Sequence, residues 1–426
     1  MNSGLTNLST RFSQDVAWTL ATRLLMIFNS VAAGIIVAHW LGAEGVGQLA
    51  VINVAVTTIV QLGSFGLPSS NTYFIAQDRT HFRAATINSL LFATVIGSVL
   101  ALALSGLASV RPDWFGFVPP KLIRIASVQI PFLLVTLIGL NILLALGKLQ
   151  AFNLLDLGSQ SFVLVNALLV LVLLSSGLDS LVKLNTATSV LVSLVVLVLL
   201  VSGGKKLADA KWRADAALLR RMIAYGLKFH ISVLAGAIIF RADLLVVNHF
   251  RTPAEAGVYS VATQFGSLLM LLPGVIATLL FPRVTAEQDA HGETTWLVTK
   301  YTALIMLVCC LVAVPASFLL PLLYGSAFEE ATTLLLILLP GVYLIGLESV
   351  LVQHFNALGL PRMIPVYWVV TLVVNLVLVF ALVPQLGAYG AAIASTVSYA
   401  LIFSLVAFYF VATTRRSVMA RGSLRG

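Results

Sequence analysis

The amino-acid sequence predicts an all-α polytopic membrane protein of about 12 transmembrane helices, in two six-helix lobes related by a pseudo-two-fold along the membrane normal. Three observations carry this expectation. Of 426 residues, 59% are hydrophobic and 10% are charged, whereas a soluble domain carries about 25% charged residues. Long apolar segments recur along the whole chain, and a bilayer core needs ~20 apolar residues per helical span. The basic residues are also sorted by side: 17 of the 25 Lys and Arg fall in loops of one face, five in loops of the other and three within spans. That asymmetry assigns the richer face and both termini to the cytoplasm, in a multi-pass protein of the cytoplasmic membrane, which requires an even number of spans. It accounts for the net charge of +9 without nucleic acid as a partner.

Helices are expected over 15–38, 47–66, 84–108, 122–146, 150–174, 180–202, 222–248, 257–280, 299–323, 329–356, 362–383 and 389–412. Runs this apolar must satisfy their backbone groups internally, which leaves the helix as the only choice. Residues 1–14 are polar, and the first apolar segment has no small-residue cleavage site, so no cleavable signal is expected. The stretch LGAEGVG at 41–47 reads as a tight turn, and 67–83 as an amphipathic or broken element at the cytoplasmic face. Residues 109–121, with Pro112, Pro119 and Pro120, form an external loop. The most polar internal stretch divides the chain into a lobe at 1–204, a basic cytoplasmic linker at 205–217 and a lobe with a basic tail at 218–426.

An internal repeat supports that division. At an offset of 210, His39 matches His249, Gly47 matches Gly257, Ala76 matches Ala286, Gly177 matches Gly387 and Thr186 matches Thr396. Ala145, Leu146 and Gly147 answer Ala357, Leu358 and Gly359 at an offset of 212. Transporters are commonly built from such repeats, with a site between them. Prolines gather in the second lobe (Pro273, Pro315, Pro321, Pro340 and Pro365, against Pro131 in the first), which makes it the lobe expected to bend.

Ionisable residues inside spans are costly and face a cavity or a partner. Arg23 shares a helix face with Thr19, Ser30 and Gly34, which reads as a cationic cavity wall, with snorkelling to the headgroups as the alternative. On a regular wheel His230, Arg241 and Asn248 fall within about 40° of one another, a face on which Arg241 would meet a substrate. Asp243 lies about 200° from Arg241 and is expected to serve a neighbouring helix or a helix end. Lys228 suits snorkelling or function. Asn153, Asp156 and Gln160 share one sector of their helix, a stripe that lines a pathway or joins helices by hydrogen bonds. Glu348 lies among Gly341, Val352, Phe355 and Gly359, a close-packed face with one acid. Glu348, Asp156 and Asp243 are the candidates for ion coupling. The adjacent Cys309 and Cys310 suit neither a disulfide framework nor zinc.

The sequence holds no phosphate-binding G-x-x-x-x-G-K-[ST], no H-E-x-x-H and no nucleophile elbow. No ATP-driven motor, metal site, catalytic residue or cofactor is expected, and the chain is not expected to be an enzyme. Residues 23–76, with Leu41, Gly42, Glu44 and Gly47, resemble the opening of polysaccharide-exporting flippases. These are Wzx-like members of the multidrug/oligosaccharidyl-lipid/polysaccharide exporter superfamily. Leu49 stands where an aromatic is usual; Arg241, Asp243, Gly257, Val258 and Tyr259 resemble the family's R-x-D helix and G-x-Y turn.

The resemblance implies a flippase for a polyprenyl-pyrophosphate-linked oligosaccharide in cell-surface polysaccharide biosynthesis. It would rock between inward- and outward-open states amid membrane lipids and glycan assembly enzymes. It implies a cationic cavity in which Arg23, Arg241 and Lys228 match the family's residues, with His230 on the same face. A multidrug/cation antiporter of the same superfamily is the alternative, and would want acids such as Asp156 and Glu348 in the cavity. A membrane-embedded glycan polymerase or ligase would want a large external loop, and the outer loops here are short. A scaffold recruiting partners through its basic segments is the remaining class.

Overall fold

The computed structural model describes residues 2–204, 212–287, 292–357, 359 and 361–422. Residues 205–211 of the expected linker, Leu358 of the second Ala-Leu-Gly and the end of the basic tail, 423–426, lie outside the described residues. Among the described residues every regular element is helical, and eleven stretches are long and apolar enough to cross a membrane. The first of these, Trp18–Gly63, has 46 residues, ~69 Å of helix at 1.5 Å per residue against a bilayer core of ~30 Å. It is broken at Gly42, whose φ of 65° and ψ of −175° are outside the helical region. Counting it twice gives the twelve expected crossings.

The chain divides into two compact units, Met1–His230 and Ile231–Gly426. The first holds α1 (Asn2–Gly63), α2 (Leu67–Gln77), α3 (Phe82–Val110), α4 (Pro120–Ser127), α5 (Gln129–Ala145), α6 (Leu149–Ala167) and α7 (Leu178–Gly204). The run α4 and α5 forms its most buried span, with Ile130, Leu134, Ile138 and Ile142, spaced four apart, all inaccessible to solvent. The helix α8 (Ala216–Ile239) contains the division between the units.

Its first half belongs to the first unit because α2 grips it. The Ser70 hydroxyl donates to the Met222 carbonyl at 2.6 Å. Gly66, at φ 71°, comes so close to Gly226 that a Cβ on Gly66 would stand 2.3 Å from the Gly226 carbonyl oxygen.

The second unit continues with α9 (Ala242–Phe250), α10 (Pro253–Leu269), α11 (Leu271–Glu287), α12 (Glu293–Ser317), α13 (Leu320–Tyr324), α14 (Glu329–Ala357), α15 (Met363–Leu386) and α16 (Ala388–Gly422). Its core gathers Ile239, Ile345, Leu351, Phe355, Ile402 and Val406 around α14, which carries its most buried span. Thr252 opens α10 by accepting from the Glu255 N–H at 3.1 Å, with Pro253 at the first helical position where its missing N–H costs nothing. Glu255 in turn accepts from the Ala388 N–H at 2.7 Å.

The repeat is expressed inside each unit. The Thr186 hydroxyl reaches the Ile125 carbonyl at 3.5 Å, and its match Thr396 reaches the Ile337 carbonyl at 2.7 Å. Asn166 donates to Thr188 at 3.0 Å, as Asn375 donates to Ser398 at 3.1 Å. Gly147 and Gly359, the matched glycines of the Ala-Leu-Gly pair, both have positive φ, 73° and 96°.

Four expected helices are divided: 122–146 between α4 and α5, 257–280 between α10 and α11, 299–323 between α12 and α13, and 222–248 between α8 and α9. The run 222–248 is not continuous: α8 ends at Ile239 and α9 starts at Ala242. Arg241, at φ −138° and ψ −25°, is non-helical, and its N–H turns back to the Ile238 carbonyl at 3.1 Å.

Candidate functional site

In the first unit two polar stripes meet. Thr19, Arg23 and Asn29 rise along α1, and Asn153, Asp156 and Ser161 along α6. Asn153 donates to the Thr19 hydroxyl at 2.9 Å, Arg23 Nη1 pairs with Asp156 at 2.9 Å, and Asn29 donates to the Ser161 hydroxyl at 2.7 Å. Three rungs thus join the helices, with the ion pair in the middle and partly accessible. Gln160 is exposed beside this ladder. His230 is buried, its ring stacked over Phe65 at 6.4 Å, and Lys228 is exposed.

The second unit holds a buried carboxylate. Asp243 lies in the first turn of α9 and accepts the Leu244 N–H at 2.8 Å, the Ser395 hydroxyl at 2.8 Å and the Tyr259 hydroxyl. Helices α9, α10 and α16 are thereby tied to one side chain, at a helix N-terminus that favours negative charge. Arg241, two residues before Asp243, takes no part. It is exposed at the break between α8 and α9, and among the described residues no carboxylate pairs with it.

The break also corrects the expected common face of His230, Arg241 and Asn248. A continuous wheel does not apply across a non-helical residue, and His230 and Asn248 are buried while Arg241 is exposed. Glu348 is buried on α14, and its Oε1 has no hydrogen-bond partner among the described residues. Ser395 and Tyr259 as partners of Asp243 were not anticipated from the residues. The only signal was the Gly257, Val258, Tyr259 turn, which marks Tyr259 without revealing its partner. No cluster with metal-holding composition occurs among the described residues.

Residues 13–288, more than half of the chain, match the family described as "Polysaccharide biosynthesis protein". The chain is 24% identical over 245 residues to the "Probable low-salt glycan biosynthesis flippase Agl15" of Haloferax volcanii, covering 56% of this chain and 50% of that protein. It is 28% identical over 171 residues to the "Probable flippase AglR" of the same organism, covering 37% of this chain and 35% of that one. The matches thus span half or less of the length of these relatives. Among solved structures, the lipid II flippase MurJ in an inward closed conformation superposes with a TM-score of 0.75 at 14% identity, covering 95% of this chain and 91% of that one. An inward-facing multidrug resistance transporter of the MATE family gives 0.71 at 14% identity, covering 94% and 99%. These likenesses show the fold.

Proposed function

We propose that this chain, which belongs to the polysaccharide biosynthesis protein family and is a multi-pass membrane protein, is a flippase. Its substrate in this reading is a polyprenyl-pyrophosphate-linked oligosaccharide, moved across the cytoplasmic membrane by alternating access of two lobes, 1–204 and 218–426, joined through 205–217. Both termini lie in the cytoplasm. The names of the Haloferax relatives and the fold shared with a lipid II flippase support this choice over an enzyme acting on the same lipids.

The observation that carries it is Arg241: a guanidinium inside an apolar span, exposed at a helix break, with no carboxylate partner among the described residues. A pyrophosphate supplies the bidentate anionic partner such a group lacks, and low dielectric strengthens their attraction. Arg23, whose charge Asp156 already shares, is the weaker contact, with the exposed Lys228 completing the cationic set and the buried His230 outside it. Gln160, exposed beside the ladder, offers hydrogen bonds to sugar hydroxyls, whereas Asn153 and Asn248 are buried, Asn153 joining helices instead. Glu348 is the coupling carboxylate we favour over Asp156 and Asp243, because those two already hold partners.

The test is leaflet exchange of a labelled polyprenyl-pyrophosphate oligosaccharide in proteoliposomes holding the protein, beside efflux of a lipophilic dye cation. Exchange without dye efflux is expected. The buried Glu348 and the fold shared with a multidrug transporter favour a cation antiporter as the second reading, and dye efflux without lipid exchange would establish it.

A further inference from the structure

Within the first unit, the end of α2, the start of α3 and residues 212–225 form a rim that concentrates charge and aromatic rings. The stretches 72–83 and 212–225 hold five arginines, Arg79, Arg83, Arg213, Arg220 and Arg221, against two aspartates, Asp78 and Asp215. Both aspartates are engaged by backbone. Asp78 accepts the Thr80 N–H at 2.8 Å, and Asp215 accepts the Leu218 N–H at 3.0 Å at the start of α8. Among the described residues no ion pair holds Arg79, Arg213, Arg220 or Arg221.

The rim is also ordered by packing. Asn88 grips the Asp215 backbone at both its carbonyl, 2.6 Å, and its N–H, 3.0 Å. Tyr73 stacks on Tyr225 at 4.3 Å, the Arg221 guanidinium sits 5.4 Å from the Phe74 ring, and Trp212 lies edge-on to Phe82 at 6.0 Å. Yet Tyr73 is 43% and Trp212 38% exposed, an unexpected outlay of aromatic surface if both faced only water. Exposed Trp and Tyr beside basic residues are the composition of a membrane–water interface. Arginines held near an anionic leaflet each strengthen its attraction about fivefold.

We propose that this rim is a binding site for the phosphate headgroup of an anionic phospholipid in the adjoining leaflet. Arg79, Arg220 and Arg221 hold the phosphate, while Tyr73 and Trp212 seat the rim at the acyl boundary. A phospholipid fits better than a soluble anion because the exposed rings flank the charges. The site is separate from the cationic set assigned to the transported lipid, so it stands whether or not that reading does.

Native mass spectrometry of the full chain, with phosphatidylglycerol and phosphatidylcholine competing, tests it. The wild type retains phosphatidylglycerol preferentially, and Arg79→Gln/Arg220→Gln/Arg221→Gln lowers that preference on the order of tenfold or more. Arg111→Gln/Lys121→Gln/Arg124→Gln, which removes as many cations from the opposite side, leaves it unchanged. If the triple variant fails to fold, the three single glutamine variants each lose a few-fold. The proposal is overturned if the wild type shows no preference, if the rim variants match it, or if the control triple loses as much. It is also overturned if the rim variants lose polyprenyl pyrophosphate while keeping phosphatidylglycerol, which would make the rim a substrate dock.

Discussion

The two units each carry an arginine within an apolar helical region and treat it in opposite ways. Arg23 sits in a regular helix, paired with Asp156 and flanked by two hydrogen-bonded rungs. Arg241 sits at a helix break, while the nearby carboxylate, Asp243, is turned inward to Tyr259 and Ser395. In the first unit, charge is spent on joining two helices. In the second, the acid does the joining and the cation is left for something else. The same residue type in the same kind of sequence thus joins helices or is left without a carboxylate according to where the acid beside it points.

That contrast breaks in several measurable places. The largest effect is expected from Arg241→Ala, which should slow lipid exchange by about 10–100-fold, the worth of a charge-assisted contact of ~1.5–3 kcal/mol. Arg241→Lys should recover part of it, since lysine keeps the charge and loses the fork. Tyr259→Phe should then cost the second unit about 1.5–3 kcal/mol by removing a donor from a buried carboxylate, measured by thermal unfolding in detergent. An unchanged Tm would show that Asp243 does not hold α10 through that hydroxyl.

In the first unit, Arg23→Ala should destabilise by about 1 kcal/mol more than Arg23→Ala/Asp156→Ala, because the single change strands an acid. Partial exposure of the pair keeps the figure small, and a double-mutant cycle measures it. The smallest effects belong to the repeat: Thr396→Val should cost about 0.6 kcal/mol, the average for hydrogen bonds between membrane helices, and Thr186→Val less as a donor, because its hydroxyl lies 2.8 Å from the Val182 carbonyl of its own helix and 3.5 Å from that of Ile125. A larger loss of Tm for Thr186→Val than for Thr396→Val would contradict this.

Much of the fold was legible because apolar length dictates spans and an offset of 210 marks a repeat. Thr186 and Thr396 were paired by sequence position alone, and each reaches a carbonyl of the most buried span in its unit. The stripes of α1 and α6 were legible singly. Their union was not, because a wheel gives the direction of Arg23 and of Asp156 but not which helix faces which. The break at Arg241 escaped for another reason. Phe240 and Arg241 carry no proline or glycine signal, so the interruption comes from tertiary context, and a 100° wheel carried across it joined residues that do not share a face. Ser395 lies 152 residues from Asp243, beyond any local pattern.

The central claim is that Arg241, more than Arg23, meets the anion of the transported lipid. Leaflet exchange of a labelled polyprenyl-pyrophosphate oligosaccharide, compared among wild type, Arg241→Ala and Arg23→Ala/Asp156→Ala at matched protein amounts, tests it directly. The account predicts a fall on the order of tenfold or more for Arg241→Ala and a smaller one for the double variant. Exchange by Arg241→Ala at the wild-type rate would contradict it.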